Sequence, residues 1–231
     1  MSIEQNRMNL SPNARSRLPN GNIRGELETP DGRRNDGLRN DGLGNRAGWV
    51  LVGGRSSRMG QDKALIEVEG RPLALRVADS LFLSCNTVSI VGDPARYATL
   101  GLPVIPDNFP GQGPLAGIEA ALRATSADWN LIAACDMPSL DSTVFASLFS
   151  TGCDCAVPQY ADGSVEPLCS VYHRRCHRAV VAALESGIRR VTDALRHLES
   201  ECFSVGYVTI TDNAPFRNLN TPEELRSYRN A

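Results

Sequence analysis

The chain has 231 residues, of which 42% are hydrophobic and 22% charged, and its formal net charge is −2. These values are typical of a folded globular domain. A near-neutral chain has no general attraction to nucleic acid or to a membrane surface, so neither is expected as a partner. No apolar run approaches the roughly 18 residues that a membrane-spanning helix needs.

Residues 1–46 differ in composition from the rest of the chain. They are rich in Arg, Asn and Gly and poor in large apolar residues, and "RNDGLRNDGLGN" is a string of turn signals. Such a segment cannot bury enough apolar surface to offset its ordering entropy. It also lacks the apolar centre of a signal peptide. We therefore expect a disordered N-terminal extension over residues 1–46 and a single folded domain over residues 47–231.

Beyond this segment, short apolar strands alternate with stretches of helical periodicity. Strands are predicted at "GWVLVGG", "TVSIVG", "LPVIPD", "WNLIAACDMP", "CAVPQ", the start of "PLCSVYHRRCHRAVVAALESG", and "SVGYVTI". Helices are predicted at "RPLALRVADSLFL", "GPLAGIEAALRAT", residues 142–149, the second part of "PLCSVYHRRCHRAVVAALESG", "RRVTDALRHL" and "TPEELRSYR". The last helix has Thr221 as N-cap and Glu224 as its capping-box partner. This alternation predicts a three-layer, Rossmann-like α/β fold with a mostly parallel sheet.

In such folds ligands bind outside the carboxyl ends of the strands. The glycine-rich loop after the first strand, Asp107 after the third and Asp136 after the fourth all follow predicted strands. We therefore expect them to face one crevice.

The loop "LVGGRSSRMGQDK" brings backbone N–H groups and cations together, as a phosphate site requires. Its spacing differs from the P-loop G-x-x-x-x-G-K-[ST], and no Ser or Thr follows Lys63 to hold magnesium. A second glycine cluster, "GQGPLAG", misses the dinucleotide fingerprint by one residue. Lys63 is the only lysine in a chain with 24 Lys and Arg residues in total. This bias suggests that position 63 requires a compact, flexible ammonium group.

Asp136, in "ACDMP", has two interpretations. An aspartate at the end of an apolar strand caps the following helix or is a hard ligand for Mg²⁺. Ser139 or Asp141 could cap the helix instead, and a phosphate loop is expected in the same crevice. We therefore favour the metal-ligand role for Asp136.

Other potential metal ligands are less convincing. The seven cysteines are odd in number and form no Cys-x-x-Cys pair, which indicates reduced thiols in a cytoplasmic protein. His173 and His177 have the spacing of one helix face. No glutamate lies between them and no ligand cluster follows, so we interpret them as part of a solvated basic helix face.

Four motifs together resemble one family. "LVGGRSSRMGQDKALIEVEGRPL", "GPLAGIEAAL", "AACDMPSL" and "NLNTPEEL" are similar, in content and order, to the bacterial molybdenum cofactor guanylyltransferases, the MobA family. The resemblance covers about residues 50–225. It implies a nucleotidyltransferase fold and an enzyme that transfers GMP from GTP to Mo-molybdopterin, with Mg²⁺ as cofactor and pyrophosphate as the second product. Contacts with molybdoenzymes or their chaperones are a further expectation.

The resemblance also assigns roles to individual residues. Those expected to bind the nucleotide are Leu51, Val52, Gly53, Gly54, Lys63, Gly92, Asp107 and Asp136. Lys63, Arg58 and Asp136 are expected to be catalytic, with Asp136 also holding the metal, and Asn218 and Asn220 are expected to bind the acceptor. The chain departs from the family pattern at two positions: Val52 replaces a usual alanine, and Gly92 lies where an asparagine is common.

Two alternatives remain open from the sequence. The same fold could transfer a cytidylyl group or act on a sugar phosphate. A protein that binds the nucleotide without catalysis could instead act as a chaperone for the molybdenum cofactor.

Overall fold

A computed structural model describes residues 45–53 and 61–229. The predicted disorder of residues 1–44, and the roles expected of Gly54 and Arg58, lie outside the described residues. Arg46, which the sequence assigned to the N-terminal extension, already belongs to the first strand. None of the described helices is long and apolar enough to cross a membrane.

The described residues form a seven-stranded sheet and a separate two-stranded hairpin. The strands are β1 Arg46–Leu51, β2 Glu67–Val68, β3 Arg71–Pro72, β4 Thr87–Val91, β5 Val104–Ile105, β6 Trp129–Ala134, β7 Cys155–Gln159, β8 Cys169–His173 and β9 Val205–Thr209. The helices are α1 Leu73–Phe82, α2 Pro94–Tyr97, α3 Pro114–Ala124, α4 Ser142–Phe149, α5 His177–Glu185, α6 Val191–Ser200 and α7 Pro222–Arg229. The predicted helices therefore match within a few residues, whereas α2 and the β2–β3 hairpin were not predicted.

The order of the large sheet is β5-β4-β1-β6-β8-β7-β9. All of its strands run in one direction except β8, which is antiparallel to β6 and to β7. The connection from β7 to β8, residues 160–168, is too short for the helical crossover that parallel pairing requires. The prediction of a mostly parallel sheet is confirmed, and β8 is its exception.

Helices cover both faces of the sheet and give the predicted three layers. Neighbouring residues of β1 show why a central strand is apolar throughout: Val50 packs in the core beneath α1 and α4, and Trp49 packs in the core beneath α3, α5 and α6. Successive side chains of a strand point to opposite faces, so a strand covered on both faces shows no polar alternation.

A third, smaller core joins the C-terminal helix to the β2–β3 hairpin. Leu219 and Leu225 pack with Ile66, Val68 and Leu73. The predicted capping box of α7 is present: Thr221 Oγ1 accepts from the Glu224 N–H at 3.2 Å, and the Glu224 carboxylate accepts from the Thr221 N–H at 2.9 Å. This packing holds the residues before α7 against the turn that carries Lys63.

Candidate functional site

A cleft of about 970 Å³ opens at the carboxyl ends of β1, β4, β5 and β6. It contains seven of the residues that the sequence assigned to nucleotide binding: Leu51, Val52, Gly53, Lys63, Gly92, Asp107 and Asp136. The structure therefore brings these residues together at the sheet edge where the fold class places ligands.

Backbone hydrogen bonds continue past the strand ends into the residues that line this cleft. The Val52 N–H donates to the Val91 carbonyl at 3.1 Å, and the Cys135 N–H donates to the Leu51 carbonyl at 3.1 Å. The Gly92 N–H donates to the Ile105 carbonyl at 2.9 Å. The first residues after β1, β4 and β6 are thereby held in register with the neighbouring strand ends.

The two departures from the family pattern touch each other in space. A Cβ atom at Gly92 would lie 2.5 Å from Val52 Cγ2 and 2.9 Å from the ring of Tyr97. Real Cβ atoms essentially never approach other atoms so closely, so no side chain fits at position 92 while Val52 and Tyr97 keep their places. Valine at 52 and glycine at 92 are therefore a matched pair.

Lys63 connects two parts of the site. Its Nζ donates to Asp136 Oδ2 at 3.0 Å and to Asn220 Oδ1 at 2.5 Å. The side chains of Lys63 and Asp136 are only 16% and 21% exposed. The ammonium group thus bridges the end of β6 and the segment that precedes α7, and the cation and the carboxylate neutralise each other in the cleft.

The two sequence interpretations of Asp136 are separated by its neighbour Asp141. Asp141 Oδ1 accepts from the N–H groups of Thr143 at 2.8 Å and Val144 at 3.1 Å, and so caps α4. Asp136 is therefore not needed as a cap, and its carboxylate lines the cleft.

The donor set around Asp136 fits magnesium in its usual protein environment. Over residues 45–53 and 61–229, no group of three or more His, Cys, Asp or Glu side chains could hold a metal by itself. Mg²⁺ is commonly bound by one or two carboxylates together with substrate phosphates and water. The Asp136 carboxylate, which contacts the Lys63 ammonium group in the cleft, is consistent with that arrangement.

Asp107 uses one carboxylate oxygen locally, since its Oδ1 accepts from the Phe109 N–H at 2.7 Å. This bond stabilises the turn after β5 in the manner of an Asx turn. The carboxylate still lines the cleft.

The two asparagines expected to bind the acceptor flank a buried anchor. Leu219 is fully buried, and its N–H donates to the Asp136 carbonyl at 2.9 Å. Asn220 contacts Lys63, whereas Asn218 lies near the side chain of Glu166 and lowers the pKa of its carboxyl group. The backbone bond at Leu219 therefore fixes both asparagines beside the end of β6.

Glu166 lies close enough to Asp136 to feel its charge, a neighbour of the site that the sequence did not predict. Burial raises the pKa of its carboxyl group, the negative charge of Asp136 raises it further, and hydrogen bonds from the Leu168 N–H and Asn218 act in the opposite direction. Glu166 precedes β8, and because β8 runs antiparallel, its start lies at the edge where β6 ends. The motif "VEPLC" was visible in the sequence, but the reversed strand that brings it to the site was not.

The expectation of one helix face carrying His173 and His177 is wrong. His173 ends β8 and His177 begins α5, so they do not share a helix. His177 Nε2 lies 2.9 Å from Oε1 of the buried Glu119 on α3, and this contact joins two helices. All seven cysteines are free.

Comparisons with known proteins agree with this geometry. The sequence profile of the MobA-like NTP transferase domain matches residues 48–200. A probable molybdenum cofactor guanylyltransferase of Nostoc sp. is 39% identical over 186 residues, covering 76% of this chain and 86% of the relative. A molybdenum cofactor guanylyltransferase of Cereibacter sphaeroides is 37% identical over 185 residues, covering 77% and 92%.

Solved structures show the same relationship. Molybdopterin-guanine dinucleotide biosynthesis protein A from Archaeoglobus fulgidus superposes with a TM-score of 0.66 at 27% identity, covering 80% of this chain and 97% of that one. A 2-C-methyl-D-erythritol 4-phosphate cytidylyltransferase from Thermus thermophilus, at a TM-score of 0.59 and 16% identity, covers 79% and 96% and shares the fold alone. The chain therefore belongs to the molybdenum cofactor guanylyltransferase family of MobA-like NTP transferases.

Proposed function

We propose that the protein transfers GMP from GTP to Mo-molybdopterin, forming the guanine dinucleotide cofactor and pyrophosphate. The observation that carries the proposal is the Lys63–Asp136 pair, which lies in a cleft at the carboxyl edge of the sheet and contacts Asn220. In this proposal Lys63 binds the phosphates, Asp136 binds the metal and Asn220 binds the acceptor, and Lys63 contacts both of the other side chains. Family membership supports the choice of substrates.

The proposed reaction is an in-line displacement at the α-phosphorus of GTP. An oxygen of the acceptor's terminal phosphate forms a new P–O bond, and the bond from the α-phosphorus to the bridging oxygen of the β-phosphate breaks. The electron pair of that bond leaves with pyrophosphate. A phosphate nucleophile is already ionised at neutral pH, so no general base is needed. No histidine is found among the described residues that line the cleft, which agrees with such a mechanism.

Lys63 has a separate task in this reaction. Its ammonium group forms an ion pair with Asp136. When a triphosphate binds, the flexible side chain can move to the phosphates and stabilise the charge that develops on the departing pyrophosphate. The same movement releases Asp136.

Asp136 would hold Mg²⁺, and the metal when bound would act as a Lewis acid that neutralises charge on the phosphoryl oxygens. Asn220, released from Lys63 by the same movement, and Asn218 would offer their side-chain amides to the acceptor. Nucleotide binding would in this way prepare both the carboxylate and the acceptor site.

A binding competition tests the choice of nucleotide. Isothermal titration calorimetry with GTP, CTP and UTP, each with magnesium, should show the tightest binding for GTP. Preferred binding of CTP or UTP would instead favour the cytidylyl or sugar-phosphate alternative. Release of pyrophosphate only when molybdopterin is added would exclude the non-catalytic chaperone, since a chaperone leaves the triphosphate intact.

The seven free cysteines are consistent with the expected cytoplasmic location, because thiols stay reduced there. We therefore propose that the protein is cytoplasmic. Fractionation of the cells that produce the protein would test it.

A further inference from the structure

We propose that Asp62 and Tyr97 form a brace that positions Lys63, and that Tyr97 therefore contributes to guanylyl transfer without touching a substrate. The inference rests on the function proposed above for Lys63. Neither residue was assigned a role from the sequence, and both are held by contacts that converge on the turn where Lys63 begins.

Asp62 uses both of its carboxylate oxygens. Oδ1 accepts from the Ala64 N–H at 3.1 Å and so caps the 3₁₀ turn Lys63–Leu65. Oδ2 accepts from the Tyr97 hydroxyl at 2.7 Å and from the Arg96 guanidinium at 2.7 Å. The carboxylate that sets the conformation of the turn is therefore itself fixed by two donors on α2.

Tyr97 supplies the rigid end of the brace. It is 1% exposed and belongs to the core beneath α1 and α4. Its ring packs against Gly92, where an added Cβ would come within 2.9 Å. Arg96, by contrast, is 57% exposed. The buried phenol is thus the more constrained of the two donors, and it connects the turn to the end of β4.

The protonation of Tyr97 suits this role. Burial raises the pKa of the phenol, and the hydrogen bond and charge of Asp62 raise it further. The hydroxyl group therefore remains a donor throughout the physiological pH range. Since Lys63 follows Asp62 directly, a change in the orientation of Asp62 alters where the lysine side chain starts.

The position of the Lys63 ammonium group is constrained by two contacts. Lys63 Nζ meets Asp136 and Asn220 at 3.0 Å and 2.5 Å. The side chain of Lys63 thus contacts both the end of β6 and the segment before α7. A small displacement of its backbone would shift the point from which the side chain starts, both for these contacts and for its movement to the phosphates of a bound triphosphate.

The first test uses the fact that Lys63 is the only lysine in the chain. Protein labelled with ¹³C,¹⁵N-lysine gives one side-chain NMR signal, which reports on Lys63 alone. We expect Tyr97→Phe to move this signal toward that of a free lysine. Tyr207→Phe is the matched control, because the Tyr207 hydroxyl also donates to a carboxylate, that of Glu199 at 3.0 Å, outside the cleft. An unmoved signal in Tyr97→Phe would overturn the proposal.

The second test is kinetic. Tyr97→Phe should lower kcat/KM for guanylyl transfer about tenfold, the effect of one hydrogen bond to a charged group. In a Lys63→Ala background the same change should have no further effect, because the brace then has nothing to position. An equal loss in both backgrounds would show a merely structural role for Tyr97 and would contradict the proposal.

If the Tyr97→Phe variant does not fold, Asp62→Asn provides a second test of the proposal. The side-chain oxygen of an asparagine can still accept from the Ala64 N–H. Its NH₂ group, however, would face the Tyr97 hydroxyl and the Arg96 guanidinium, which are also donors. The bond between residue 62 and Tyr97 would therefore be lost, while the buried Tyr97 ring stays in place. A moved lysine signal supports the proposal and an unchanged one contradicts it. If the wild type transfers no GMP, the proposed function fails, whereas the NMR comparison still tests the brace.

Discussion

Lys63 occupies a position that suits a compact ammonium group. Its Nζ lies between two oxygen atoms, Asp136 Oδ2 and Asn220 Oδ1, and the side chain is largely buried. A guanidinium group is planar, is wider and requires a fork of acceptors. This environment gives a physical reason for the only lysine in a chain otherwise dominated by arginine.

We therefore predict that Lys63→Arg loses about 100-fold in kcat/KM, the effect expected when a catalytic group is displaced by about 1 Å. Steady-state kinetics of guanylyl transfer would measure it. Arg196→Lys, in the exposed pair with Asp193, is the matched control and should keep full activity. Wild-type turnover by Lys63→Arg would mean that the lysine is not required.

Asp136 and Asp141 offer a contrast between function and stability. Asp136→Ala should lose most of kcat while unfolding at nearly the wild-type temperature, because the Leu219 N–H bonds to its backbone carbonyl and not to its side chain. Asp141→Ala should keep kcat and lose about 1 kcal/mol of stability, the usual value of an N-cap. Thermal unfolding and kinetics on both variants would measure this, and the reverse pattern would refute the roles given to the two residues.

At the scale of the elements, the ends of β1 and β4 are matched through Val52 and Gly92. We predict that Gly92→Asn alone destabilises the protein by about 1–3 kcal/mol, as overpacking does. In a Val52→Ala background the same substitution should cost less, because the nearest colliding atom, Val52 Cγ2, is gone. Denaturant unfolding of the four proteins in this cycle would measure the coupling. Strictly additive effects would show that the pair is not matched.

The antiparallel strand β8 brings Glu166 beside Asp136, and this has a consequence for stability. The raised pKa of Glu166 means that the fold favours its protonated form. The stability that Glu166 contributes to the fold is fully present below the pKa of about 4.3 that it has in the unfolded chain. It is lost as the pH rises through the higher pKa of the folded protein. Glu166→Gln should therefore stabilise the protein at pH 7 and change little in acid.

Unfolding curves across this pH range would measure the effect of Glu166→Gln. Asp162→Asn, in the same connection, is the control with the opposite sign. The pKa of Asp162 is lowered by hydrogen bonds from Ser164, so its ionised form is favoured by folding and its neutralisation should destabilise at pH 7. We also expect Glu166→Gln to raise KM for the acceptor, since Asn218 loses a charged partner. A destabilised Glu166→Gln at pH 7 would contradict this account.

At the scale of the whole molecule, the sequence was sufficient to predict most of the elements, though not α2 or the β2–β3 hairpin, and most of the cleft. Apolar strands ending in glycine or aspartate predicted which residues would meet, and Leu51, Gly53, Lys63 and Asp136 do line one cavity. The rule that ligands bind at the carboxyl ends of parallel strands makes this prediction possible without any tertiary information.

The features that the sequence could not predict depend on the direction of a strand and on contacts between residues that are far apart in the chain. The reversal of β8 follows from a short connection, and only its antiparallel pairing with β6 brings Glu166 near Asp136. The Asp62–Tyr97 bond joins residues 35 positions apart, and the His177–Glu119 contact joins two helices. Periodicity along the chain carries no information on such pairs.

The central claim is that this cleft transfers GMP to molybdopterin. The most direct measurement is the incorporation of label from α-labelled GTP into molybdopterin, with α-labelled CTP as the control and Asp136→Ala as the inactive variant. The account predicts labelled product and equimolar pyrophosphate from GTP with the wild type, and almost none from CTP or from Asp136→Ala. Equal incorporation from CTP, or none from GTP with an intact acceptor, would contradict it.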